Sequence, residues 1–303
     1  MMISLNSMRK IVRSGVNKQI RERMRAQVLF QSKVDSSVAF CIVHWNAPEF
    51  LILNVRQIEL LHPNSKIYVL DNGSQQINLT SIYTHLKEYK NITLLSLRGC
   101  PEWGKKFGLD SLFEWQTYAT GLQFLLNYSA KQSDEIAVFL DQDCILTRCV
   151  DPFFSKFDKE VILIGARDRW RGHAYSKLVH NSFMILQPKR IHQIFGNSSF
   201  YDPRAESFGP NLGDHAGISF KALGRILYLE PQMHAKIPLL TSYMYNETIY
   251  AWHAWYSSRS IGAATNNASI DGYPISWLND VNKIEYDFMM QIHKNTAAKL
   301  HVL

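Results

Sequence analysis

Residues 135–149 read EIAVFLDQDCILTRC. Ile136 to Leu140 is an unbroken apolar run, too short for a helix and rich in β-branched and aromatic side chains, so it reads as a strand buried on both faces. It ends in Asp141 and Asp143, separated only by Gln142. On a regular strand, residues i and i+2 share a face, while i and i+1 lie on opposite ones. At a strand end the chain can also turn, so both carboxylates can face one site. Their repulsion is relieved if a divalent cation lies between them and a phosphate, because hard cations such as Mg²⁺ take one or two carboxylates together with phosphate oxygens.

Working outward, similar runs recur at 38–43, 67–70, 92–97, 161–164, 182–186 and 226–229. Helical patterns separate the early ones. PEFLILNVRQIELL opens with Pro48 and Glu49, suited to a first turn, and places Leu51, Val55, Ile58 and Leu61 on one side. LTSIYTHLKEY and EWQTYATGLQFLLNYS follow. The alternation predicts an α/β fold with a mostly parallel, mixed sheet flanked by helices. Ligands of such sheets bind beyond the C-terminal strand ends. Those ends carry His44-Trp45-Asn46, Asp71-Asn72-Gly73-Ser74 and Asp141-Gln142-Asp143.

Composition narrows the classes. With 303 residues, 46% hydrophobic and 19% charged, the chain can build a large core. The net charge is +7, but residues 1–35 hold eight Lys or Arg against Glu22 and Asp35, so the body is near neutral. A neutral body argues against nucleic acid as a partner. Residues 8–30 predict a basic amphipathic helix striped by Val12, Val16, Ile20, Met24 and Val28. It suits a helix docked on the body of the chain, a homo-oligomer contact or a peripheral contact with anionic lipid. No secretory signal or transmembrane run is apparent, and the expected location is cytoplasmic, or peripheral on the inner face of the membrane. Cys41, Cys100, Cys144 and Cys149 lack metal-type spacing and are expected to be reduced thiols.

The stretch VHWNAPEFLILNVRQIELLHPNSKIYVLDNGS together with AVFLDQD resembles family 2-like, GT-A-fold nucleotide-sugar glycosyltransferases, and FLDQD resembles their rhamnosyltransferase-like members. The resemblance covers roughly 38–260. It implies a hexosyltransferase that moves a sugar from a nucleoside-diphosphate donor to a carbohydrate or lipid-linked acceptor of cell envelope polysaccharide, with Mg²⁺ or Mn²⁺. It further implies that His44, Trp45, Asp71 and Asn72 contact the nucleoside, Asp141 and Asp143 the metal and diphosphate, His253 the metal, and Arg259 the diphosphate. A base is expected at a helix start beyond the D-x-D. In GPNLGDHAGISFKALG that is Asp214, preceded by Gly213 where the family has an acid, with Glu206 in reserve; direct attack with Asp214 as base inverts the anomeric centre. Asn181 and Ser182 are expected to line the sugar pocket. His215 and His234 stay unassigned, and RDRWRGHAY (167–175) reads either as an ordinary exposed loop or, under the resemblance, as a contact to the diphosphate or an anionic acceptor. The implied division is a leader (1–35), a GT-A-like catalytic domain (36–270) and a helical tail (271–303).

Two alternatives share these residues. FLDQDCILT resembles the first motif of haloacid-dehalogenase-like phosphohydrolases, with Asp141 as nucleophile. Against it, strands and helices precede the motif, and GDHAGIS lacks a second acid. The other is a non-catalytic nucleotide-sugar-binding protein.

Overall fold

The computed structural model describes residues 26–97, 110–158, 160–167, 179–195, 225–254, 269–270 and 273–301. The architecture is α/β, with a large mixed sheet flanked by helices. Its central strands are β2 (Val38–His44), β3 (Lys66–Asp71), β4 (Ile92–Leu97) and β5 (Ile136–Asp141), in the order β4-β3-β2-β5 and mutually parallel. Beyond β5 come β8 (Val179–Leu186), β7 (Val161–Arg167), β9 (Arg225–Met233), β10 (Leu240–Tyr245), β11 (Thr248–Ala254) and β6 (Cys144–Leu146). In this outer part β7 and β9 pair in parallel and the other pairings are antiparallel.

The apolar runs are continuous because both faces are covered. On β2, Phe40 and Ile42 enter a core with Leu51, Val55 and Ile58 of α1 (Pro48–Leu61) and Ile82 and Leu86 of α2 (Gln76–Leu86). Ala39, Cys41 and Val43 point the other way, toward Leu122, Leu125 and Leu126 of α3 (Asp110–Lys131) and Ile191 of α4 (Pro188–Phe195). This is the period-two alternation of a strand between two layers. α3 approaches β2 so closely that a Cβ at Gly121 would lie 3.1 Å from Val43. Cys41 and Cys144 are buried free thiols, and Cys149 is free and half-buried.

The sequence pattern fails at one end of the leader. Ala26–Phe30 is not the end of a helix but an edge strand, β1, antiparallel to β4. Val28, the last member of the predicted stripe, is exposed there. Pairing with the free edge of β4 outweighs a weak helical period, and AQVLF has the β-branched and aromatic content of a strand. Residues 1–25 lie outside the described residues. At the other end the expected tail contains α5 (Ile275–His301), whose Leu278, Val281 and Met289 are buried. Its His293 Nδ1 lies 2.9 Å from Gln57 Oε1 of α1. Among the described residues no helix is long and apolar enough to cross a membrane.

Register brings the strand ends together. His44 pairs with Asp71, and Val43 with Asp141, so the ends of β2, β3 and β5 are flush. After β5 the chain makes a two-residue turn, Gln142-Asp143, and enters β6. β6 pairs with β11, in the outer part of the sheet, with Cys144 opposite His253. That closure carries β11 over the end of β5.

Candidate functional site

Asp141, Asp143 and His253 converge at this edge. His253 Nε2 lies 3.4 Å from Asp141 Oδ2 and 3.4 Å from Asp143 Oδ1. One ligand atom from each residue lies within 4.8 Å of the others. Asp143 and His253 are buried, while the Asp141 side chain is 18% exposed and forms the open side. Burial alone would hold His253 neutral. Hydrogen bonds and charge from Asp141 and Asp143 overcome this and push its pKa up to about 10. A proton on His253 therefore separates the two carboxylates, and a divalent cation can take its place. Two carboxylate oxygens and an imidazole nitrogen are a donor set that fits such an ion.

The turn bearing the acids is fixed from several sides. Asn54 and Gln57 are polar residues on the buried face of α1. The Asn54 amide donates to the Asp141 carbonyl at 3.0 Å, and the Gln57 amide to the Leu146 carbonyl at 2.7 Å. The Ala254 N–H donates to the Asp143 carbonyl at 3.0 Å, tying β11 to the turn. Gln142 turns toward the end of β2 and bonds the Trp45 backbone.

Beside this cluster lies a row of buried polar atoms. Both ring nitrogens of His44, Oδ1 of Asp71 and Oδ1 of Asn72 lack a hydrogen-bond partner. Unpaired buried polar groups are costly, so a row of them at a sheet edge points to a ligand. Burial pulls the pKa of His44 down to about 4, against an opposing pull from the Gln142 side chain. Burial raises that of Asp71, opposed by hydrogen bonds from Ser74, Gly73 and Ser96. The 71–74 turn needs Gly73, whose φ is 81°. Asn46, also at positive φ, accepts from the Gln75 N–H at 2.8 Å and the Asn78 amide at 3.1 Å.

Of the residues predicted from sequence, the structure thus gathers His44, Trp45, Asp71, Asn72, Asp141, Asp143 and His253 at one edge. Asp214, Glu206, Arg259, His215 and residues 168–175 lie outside the described residues. Asn181 and Ser182 fall inside β8, both buried, and Ser182 is bonded to His180 and Tyr243 instead of facing a pocket. His234 packs edge-on against Trp252 and Phe288.

Sequence reading missed Glu285 of α5. It is buried, its Oε1 lacks a partner, and burial together with the charge of Asp143 lifts its pKa to about 8, with His253 pulling the other way. The available signal was a charged residue on the helical stripe of Leu278, Val281 and Met289.

His62, Cys149 and Asp151 also cluster within ligand distance of one another. Hydrogen bonds explain this group without a metal. The Val150 N–H donates to His62 Nε2 at 3.2 Å, which leaves the ring proton on Nδ1, 3.3 Å from Asp151 Oδ1. A metal at Nδ1 would have to displace that proton and leave an imidazolate.

No family model matches the chain, and no curated protein matches it. Among solved structures it is similar to the galactosyltransferase LgtC in complex with donor and acceptor sugar analogs, at 15% identity and TM-score 0.41, over 63% of this chain and 73% of that one. It is also similar to the mannosyltransferase PcManGT from Pyrobaculum calidifontis in complex with GDP-Man and Mn²⁺, at 10% identity and TM-score 0.44, over 97% of this chain and 85% of that one. A third is the glycosyltransferase GlyE of Streptococcus pneumoniae TIGR4, at 16% identity and TM-score 0.39, over 64% and 45%. These likenesses are too remote to carry a functional assignment to this chain.

Proposed function

We propose that this chain is a GT-A-like nucleotide-sugar glycosyltransferase that moves a hexosyl group from a nucleoside-diphosphate donor to an acceptor hydroxyl, with Mg²⁺ or Mn²⁺. The observation that carries the reading is the meeting of Asp141, Asp143 and His253 beside the unpartnered atoms of His44, Asp71 and Asn72. One half of the edge suits a cation with its diphosphate, the other a nucleoside. In this reading Asp71 Oδ1 accepts a ribose hydroxyl or a base N–H, and Trp45 flanks the base. Asp141, Asp143 and His253 would hold the cation, which would supply positive charge for the departing diphosphate. Arg259 faces the same diphosphate. Asp214 takes the proton of the acceptor hydroxyl as it attacks, which inverts the anomeric centre, and Glu206 is the reserve base.

The acceptor in this reading is a carbohydrate or lipid-linked intermediate of the cell envelope, and the basic leader serves a homo-oligomer contact or lies on anionic lipid at the cytoplasmic membrane face. Co-sedimentation with anionic vesicles, comparing the full chain with one that starts at Ala26 and so keeps β1, separates the two.

The test is a thermal-shift panel of UDP-, GDP- and dTDP-sugars with Mn²⁺. A ligand at about 100 times its dissociation constant adds roughly 2.7 kcal/mol of stability. One nucleotide is expected to stand out, and only with metal present. A flat panel, with hydrolysis of p-nitrophenyl phosphate, would favour the phosphohydrolase reading. Donor binding without turnover would favour the non-catalytic one.

A further inference from the structure

Behind His253, away from the acids, runs a buried file of side chains. Tyr243 Oη lies 3.1 Å from His253 Nδ1 and 2.5 Å from Ser182 Oγ. Ser182 Oγ in turn lies 2.7 Å from His180 Nδ1. All four residues are buried. Tyr243 and His253 sit on the paired strands β10 and β11, where Tyr243 is opposite Ala251 and His253 opposite Thr241, so they are diagonal neighbours. Ser182 and His180 come from β8, which is not next to β10 in the sheet. The file thus spans the curled sheet.

One backbone group sets its direction. The N–H of Ser182 donates to His180 Nδ1 at 3.2 Å, so that nitrogen is an acceptor and carries no proton. The Ser182 hydroxyl must then be the donor in its bond to His180. Its oxygen is left to accept from the Tyr243 hydroxyl. Tyr243, having donated its single proton, accepts from His253 Nδ1–H. A tyrosine phenol, with its ordinary pKa of about 10, keeps its proton at neutral pH. With the proton of the neutral ring held on Nδ1, the free lone pair is on Nε2, which faces Asp141 and Asp143. Reversing the file would put the ring proton on Nε2 and close the imidazole to a cation.

We propose that Tyr243 is a positioning residue: backed by Ser182 and His180, it holds His253 in its Nδ1–H form and presents Nε2 to a divalent cation shared with Asp141 and Asp143. The proposal rests on reading that cluster as a cation site. Groups behind a metal-ligating histidine orient the ring and fix its tautomer, and their loss weakens metal affinity about 10- to 100-fold.

The test titrates Mn²⁺ alone into the full chain and reads free Mn²⁺ by electron paramagnetic resonance. Tyr243→Phe is expected to weaken binding about 10- to 100-fold, and Ser182→Ala to weaken it less, in the same direction. Thermal unfolding without metal checks that each variant is folded; if Tyr243→Phe is not, Ser182→Ala carries the test. In a His253→Ala background, Tyr243→Phe, or Ser182→Ala in its place, should cost nothing further, because the file acts only through that ring. A merely structural tyrosine or serine would add its loss to that of His253→Ala. Asp143→Asn is the control for the cation reading. If it loses Mn²⁺ while Tyr243→Phe and Ser182→Ala bind like the parent, or if the losses add, the positioning role is overturned and the cation site stands. If Asp143→Asn binds like the parent, both fall.

Discussion

Gln142 and Trp45 hold each other through two hydrogen bonds. The Trp45 N–H donates to Gln142 Oε1 at 2.9 Å, and the Gln142 amide donates to the Trp45 carbonyl at 3.1 Å. The residue between the two acids thus ties the acid-bearing turn to the end of β2. Gln142→Ala leaves both Trp45 backbone groups without these partners, and a loss of about 1–3 kcal/mol is expected in urea unfolding. It should also weaken Mn²⁺ and nucleotide binding together. Full affinity for both in the variant would reduce the clamp to a local brace.

Asp143→Asn is expected to abolish metal-dependent binding of a nucleoside diphosphate while leaving the fold intact, as read by calorimetry with and without Mn²⁺. Asp71→Ala should instead weaken nucleoside binding with or without metal, because its unpartnered Oδ1 belongs to the other half of the edge. Identical metal dependence in the two variants would break the division of labour.

Asp214→Asn is expected to lower turnover about 10²- to 10⁴-fold with donor affinity retained, the usual contribution of a general base. Steady-state kinetics beside Glu206→Gln decides the assignment. An active Asp214→Asn with a dead Glu206→Gln would move the base to Glu206.

At the opposite edge of the sheet, Lys66 Nζ lies 2.8 Å from Asp134 Oδ1, and the Ser129 hydroxyl donates to Oδ2 at 2.8 Å. Asp134 is fully buried. Asp134→Ala leaves the Lys66 ammonium without its partner and is expected to cost about 3–5 kcal/mol, with Mn²⁺ affinity unchanged in the protein that remains folded. A neutral result in denaturant would mean that solvent reaches Lys66.

The pH dependence of stability should carry the mark of His44. Its pKa is about 4 when folded against an ordinary 6.5. Between those values the unfolded chain binds a proton that the folded chain refuses, so stability is full above pH 6.5 and falls as the pH drops toward 4. The slope is about 1.4 kcal/mol per pH unit for one proton. His44→Gln should flatten that stretch of the profile in urea unfolding. An unchanged slope would show that His44 is not the group responsible.

What the sequence disclosed follows from where information is local. Strands covered on both faces, such as 136–140, announce themselves as apolar runs, and the acids after them mark a strand end. β10 and β11 do not, because LTSYMY and TIYAWHA mix hydroxyls, aromatics and a histidine. β6 is three residues long and exists only through its partner. His253 was reached through family resemblance and Asp141 through pattern, but their contact depends on a pairing far along the chain. Tyr243 beside Ser182, and Glu285 near Asp143, are likewise products of register and of a helix packing late. No window of sequence contains both members of either pair.

The pairing of β6 with β11 also sets an order of assembly. As the chain is synthesised, β2, β3 and β5 can align and bring His44 and Asp71 to one edge from residues already made. The two acids then face each other with no histidine between them, and β6 has no strand to pair with. Only after Thr248–Ala254 arrives does the histidine enter between the acids. In the proposed reading the cation site would be complete only in the closed sheet, and a chain halted before β11 would lack one of its three ligands.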